Sequence, residues 1–159
     1  MKLEIQSIAL LLMITGITAT LSCKKDKDEA TVKSRTELLT TGSWKLTSYT
    51  STPAYDWYGN GVYATDILAA LNPCEADGFD TYEINGILEI NEGALKCDLI
   101  DPQTFTATWA FTDSENKIVY DGFDEYELVE LTATTMRLQQ TFVEMVFPTR
   151  IMKLMSIRY

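Results

Sequence analysis

The sequence predicts an all-β fold: an antiparallel up-and-down barrel of about eight strands, with a short helix in a long first connection. Three observations carry that expectation. From Gly42 onward the dominant apolar period is two, the mark of strands with one buried face. After the first, the links between strand segments are short and polar, which suits antiparallel neighbours and leaves no room for crossover helices. An Asn85-Gly86 step separates two such segments, and both residues accept the positive φ of a tight hairpin turn. A barrel or a meander sandwich satisfies this pattern; closure into a barrel removes exposed strand edges.

Taken in order, Ser34 to Thr40 read as one helical turn with Leu38 and Leu39 turned inward. In the first strand Trp44, Leu46 and Ser48 alternate with Lys45 and Thr47. Tyr82 and Ile84 enter the hairpin, and Leu88 and Ile90 leave it. The clearest strand sets Phe105, Ala107, Trp109 and Phe111 against Thr104, Thr106, Thr108 and Ala110. Further strands are expected at 117–120, 126–131, 135–143 and 149–158, adding Leu128, Met136 and Leu138 to the interior. An eight-stranded barrel either fills itself with such side chains or holds one small ligand.

Residues 50–78 break the rhythm. A connection of this length far exceeds the usual hairpin loop, and long loops are commonly lids or binding loops. It carries Tyr55, Trp57, Tyr58 and Tyr63. Thr65 and Asp66 can then cap a short helix, with Ile67, Leu68 and Leu71 as its buried stripe and Asn72-Pro73 as its end. The four rings suit stacking on sugars or covering an apolar ligand; packing the loop onto the barrel end is the plainer use.

The first residues speak of location. Ile8 to Leu21 is apolar apart from Thr and Gly, follows a head bearing Lys2, and falls short of the roughly 20 residues a membrane span needs. Thr20-Leu21-Ser22-Cys23 resembles the lipobox of bacterial lipoproteins, with Thr20 where Leu is usual. That resemblance implies a signal peptide over 1–22, a lipidated Cys23 heading a flexible tether over 23–35, and a barrel domain over 36–159. An ordinary cleaved signal and an uncleaved anchor are the alternatives. The charged run Lys24 to Glu29 resembles a signal that sends some lipoproteins to the outer surface, and reads equally as a solvated spacer. The expected place is the cell envelope, lipid-anchored at the outer membrane, facing the periplasm or the exterior.

Charge and missing residue types narrow the chemistry. The net charge is −10, and loss of residues 1–22 leaves it unchanged. Such a surface repels phosphate backbones and anionic headgroups, which argues against nucleic acid as a partner and for acyl chains rather than charge as the anchor. With Cys23 in lipid, Cys74 and Cys97 remain, and exported proteins usually pair such a couple. There is no histidine, which removes Ser-His-Asp and Cys-His catalysis and most zinc or copper chemistry. Paired carboxylates could still hydrolyse a glycoside, but nothing marks one pair among many, so neither an enzyme nor a cofactor is expected.

One repeat stands out. Asp77-Gly78-Phe79-Asp80-Thr81-Tyr82-Glu83 returns as Asp121-Gly122-Phe123-Asp124-Glu125-Tyr126-Glu127. Asp77, Asp80, Asp121 and Asp124 suggest a surface calcium site, since hard cations prefer oxygen. Without EF-hand spacing, the favoured reading is a turn followed by a strand start, used twice.

Gly42-Ser43-Trp44 opening a strand meander resembles the lipocalin superfamily, and more narrowly small bacterial lipocalin-like lipoprotein domains. Cys74 with the acidic stretch to Phe79, Ile84-Asn85-Gly86, Gly93 before Cys97, Trp109-Ala110-Phe111, and Val129 to Thr132 leading to Met136-Arg137-Leu138 extend it over residues 36–159. The resemblance implies that Trp44 plugs one barrel end under a stacked Arg150 or Arg158. It also implies that residues 50–78 act as a lid over the open mouth. It departs in one respect: no helix follows the last strand, which separates the barrel from vertebrate-style transport. The function implied is binding of a small hydrophobic or amphipathic molecule. The runner-up is a non-catalytic module with a filled barrel, recognising a glycan or protein through the aromatic loop 55–63.

Overall fold

Ser34 begins the fold by capping a helix. Its hydroxyl accepts the Glu37 N–H at 3.1 Å, and the Glu37 carboxylate accepts the Ser34 N–H at 2.7 Å, a reciprocal box that starts α1 (Arg35–Thr40). Gly42, at φ +75°, then turns the chain into β1 (Ser43–Tyr55). The computed structural model describes residues 32–143 and 149–159. The expected signal peptide, Cys23 and most of the expected tether lie outside the described residues.

There follow β2 (Ala64–Asp66), α2 (Ile67–Ala70), α3 (Pro73–Ala76), β3 (Phe79–Tyr82), β4 (Ile87–Asn91) and β5 (Thr104–Thr112). The chain continues through β6 (Lys117–Tyr120), β7 (Asp124–Leu131), β8 (Thr135–Phe142) and β9 (Arg150–Arg158). Each of β3 to β9 pairs antiparallel with the next, and β1 pairs with both β3 and β9. The result is a closed eight-stranded antiparallel barrel, with β2 as one extra strand laid along β1. The expected all-β barrel is the observed fold.

One end of the barrel is solid. Leu39, Trp44, Trp109, Ile118 and Leu128 are buried there in one apolar cluster. The Trp44 indole donates to the Leu39 carbonyl at 2.8 Å, tying α1 across that end. The Arg158 guanidinium lies 4.9 Å from the Trp44 ring and donates to the Leu38 carbonyl. Of the two arginines considered for this stacking place, Arg158 occupies it. Arg150 lies 3.8 Å over the Tyr55 ring instead. Trp109 also fixes the hairpin beside it, donating to the Glu83 and Ile87 carbonyls at 3.0 and 3.1 Å.

Several expectations need correction. The first strand runs to Tyr55 rather than stopping at 49, because its far half gains partners in β2 and β9. Between Leu46 and Ser48 the pairing with β9 slips by a residue. This bulge reverses the alternation, so Ser48 leaves the interior face and Tyr49 and the fully buried Ser51 follow on it. β3 ends at Tyr82, and Ile84 falls in the Glu83–Gly86 turn, closed by a Gly86 N–H to Glu83 carbonyl bond of 3.0 Å. Ile84 is therefore 81% exposed, not interior. Phe105 keeps the inward-facing phase but sits at the mouth end of β5, 39% exposed. The expected single helix is two. Asp66 caps α2, while Asn72 and Glu75 box the start of α3 with Pro73 in its first turn, so Asn72-Pro73 begins an element as well as ending one.

A candidate binding cavity in the barrel mouth

Above the solid end the barrel is not filled. A cavity of about 310 Å³ lies inside the wall, at the lower end of the range of small-molecule sites. Its apolar surface comes from Leu46, Leu88, Ile90, Met136, Leu138 and Leu154. Ala107 gives it room, since a small residue stands where β5 elsewhere presents Trp109 and Phe111.

The polar lining of the cavity comes largely from the repeated heptad. Residues two apart on a strand share a face, so Asp80 with Tyr82 and Asp124 with Tyr126 both turn inward. β3 and β7 lie four places apart around the eight-stranded wall, which brings these two Asp/Tyr pairs to opposite sides. Tyr120 of β6 completes the set: its hydroxyl is 2.7 Å from that of Tyr82. The Tyr82 and Tyr126 rings lie 6.3 and 5.6 Å from that of Tyr120, and Tyr82 meets Trp109 edge-on at 5.6 Å. Burial pushes the hydroxyls of all three tyrosines above the ordinary phenol range.

Asp80 is the unusual member. Burial pushes its carboxyl up to about 6, and among the described residues no cation pairs with it. Asp121 and Asp124 stand exposed at the rim. Asp121 is already engaged, accepting the Thr108 N–H at 2.8 Å and the Thr108 hydroxyl at 3.2 Å.

The two Asp-Gly steps that precede these pairs do different work. Asp121 and Gly122 take φ of 50° and 80° in a tight turn. Gly78 instead lies so close to β4 that a Cβ there would stand 2.7 Å from the Asn91 carbonyl oxygen. Asp77 holds the Ala94 and Leu95 N–H groups at 2.8 and 2.9 Å. Among the described residues no three His, Cys, Asp or Glu side chains gather as metal ligands.

The expected site residues divide accordingly. Leu46, Tyr82, Leu88, Ile90, Met136 and Leu138 line the cavity. Trp44, Trp109 and Leu128 lie in the solid end, and Phe111 packs against it. Tyr55, Trp57, Tyr58 and Tyr63 do not line the cavity at all. Trp57 packs edge-on to Tyr49 at 5.4 Å, and Tyr58 bonds Glu75 and accepts the Asn72 N–H at 3.0 Å. The segment after β1 is thus held beside the barrel wall, with the fully buried Ile67 anchoring α2 against β1. A Cys74–Cys97 disulfide joins α3 to the β4–β5 loop. Asp80, Asp121 and Asp124, weighed in the sequence only as calcium ligands, line the cavity, and Ala107, Tyr120, Tyr126, Leu154 and Ser156 are the cavity groups not singled out as a site. The heptad repeat was the signal for five cavity-lining residues, Asp80, Tyr82, Asp121, Asp124 and Tyr126.

A scan against protein-family models gives no match, and a search of curated proteins gives none. Among the described residues no helix is long and apolar enough to cross a membrane.

Proposed function

We propose that the chain is a lipocalin-like lipoprotein that binds one small hydrophobic or amphipathic molecule in its barrel mouth. The observation that carries this reading is the cavity of about 310 Å³, lined by Leu, Ile and Met side chains together with tyrosines and carboxylates. Support for the family comes from Trp44 plugging the solid end beneath Arg158. The lipobox-like Thr20 to Cys23 supports anchoring through Cys23 in the cell envelope. A binding role without catalysis accords with the absence of histidine, and a net charge of −10 argues against nucleic acid.

Native mass spectrometry of protein taken from its own cell envelope, with titration of a fluorescent lipid, tests the reading. A bound small molecule, and loss of probe binding in a folded Ala107→Trp variant, are the expected results. Protein that carries nothing and binds no probe removes the basis of the proposal.

The second reading, recognition of a glycan or protein by the aromatic loop, draws on exposed Trp57, Tyr58, Val62 and Tyr63. Glycan-array binding abolished by Trp57→Ala would favour it. The unfilled cavity ranks it second.

A further inference from the structure

We propose that the cavity selects amphipathic cations, with Asp80 as the carboxylate that meets the positive charge. The inference rests on the binding reading above and names the ligand class for that same site.

The argument begins with the charges facing the cavity. Asp80 projects from β3, Asp124 from β7, and Asp121 from the turn between β6 and β7. β1, β4, β5, β8 and β9 contribute Leu46, Leu88 and Ile90, Ala107, Met136 and Leu138, and Leu154 and Ser156, none of them charged. No Lys or Arg among the described residues lines the space. A half-buried carboxylate is stabilised by a counter-charge or donors, and among the described residues Asp80 has no side-chain ion pair. An incoming ammonium supplies both.

The surrounding groups suit the same guest. Tyr82, Tyr120 and Tyr126 line the same space, and aromatic faces attract cations within about 6 Å. The exposed rim carboxylates of Asp121 and Asp124 raise the local concentration of cations at the entrance. Between these groups β1, β4, β8 and β9 supply Leu, Ile and Met side chains, which take an alkyl body. A fatty acid or phosphate-headed lipid would set its anion against Asp80, within a chain of net charge −10.

Calorimetric titration of the folded protein with decylammonium, decanol and decanoate near pH 8 separates the possibilities. Decylammonium should bind about tenfold or more tighter than decanol, the worth of one charge-assisted contact, with decanoate weakest. In Asp80→Asn, checked by circular dichroism, the preference for decylammonium over decanol should collapse to within about twofold. Decylammonium binding should also weaken as pH falls through about 6, where Asp80 takes up a proton. Decanoate binding as tightly as decylammonium, or an unchanged preference in Asp80→Asn, overturns the cation inference and leaves the barrel as a binder. Failure of all three compounds to bind overturns both readings.

Discussion

The Tyr82 hydroxyl meets the Tyr120 hydroxyl at 2.7 Å inside the barrel, joining strands β3 and β6 that share no backbone pairing. This contact lies where the solid end gives way to the cavity. Tyr82 also packs on buried Trp109, and both tyrosines line the open space. Removing one hydroxyl strands the other in a desolvated place. Tyr82→Phe and Tyr120→Phe should each cost about 1–2 kcal/mol in urea unfolding. The double variant should cost less than the two singles added, because no orphan remains. Additive losses would show that the two hydroxyls do not act as a pair.

Asp80 should give the protein a pH-dependent weakness. Its carboxyl is raised to about 6 in the fold, from an ordinary 3.8, so the folded chain holds a proton more tightly than the unfolded one. Stability should therefore fall as pH rises from about 4 to about 6, then stay lowered by about 2–3 kcal/mol from this group. Asp80→Asn removes the charge, so it should be more stable than the parent above pH 7 and match it below about pH 4. Chemical unfolding at both pH values checks this. A destabilised variant at pH 8 would contradict it.

Arg158 joins the last strand to α1 by donating to the Leu38 carbonyl and covering Trp44. Arg158→Ala should cost about 1–3 kcal/mol, through lost cation–π contact and an unsatisfied carbonyl. Arg158→Lys should recover only part, since an ammonium lacks the flat face and forked donors. Thermal unfolding of the three proteins, with Trp fluorescence reporting on the solid end, makes the comparison. Full recovery by Lys would reduce the role to charge.

The Cys74–Cys97 bond closes a chain segment of sequence separation 23 and holds α3 to the β4–β5 loop. Cys74→Ala/Cys97→Ala should lose about 3 kcal/mol, chiefly by freeing the unfolded chain. Since neither cysteine lines the cavity, probe affinity should change little under conditions where the variant stays folded. Equal stability in guanidinium unfolding would deny the bond a structural role.

A closed end is tolerant of simple reading; a cavity is not. The barrel was legible because period-two alternation and Asn85-Gly86 are local properties, read without knowing which strand lies opposite. Trp44, Leu88, Leu128, Met136 and Leu138 were placed inward for that reason, and they are buried. Ile84 was misplaced because nothing in its side chain says that the turn claims two residues before the Asn-Gly step. The bulge at Leu46–Ser48 was hidden because Thr47, Ser48 and Tyr49 suit either face, and only the register against β9 decides between them. The aromatic loop looked like a lid because its length is visible in sequence, whereas its pairing along β1 is not.

Alternation alone turns Asp80 and Tyr82 to one side of a strand, and the heptad repeat does the same for Asp124 and Tyr126. Whether those side chains meet metal, solvent or one another depends on closure, which sets β3 across from β7 and brings Tyr120 to Tyr82. Periodicity is a property of neighbours along the chain. An interior volume arises from side chains on strands far apart in sequence, and its size depends on whether Ala107 or a larger residue stands at each level. The strands and their inward faces were therefore written in the residues themselves, while the half-filled barrel and the half-buried Asp80 carboxylate facing its cavity came only with the fold.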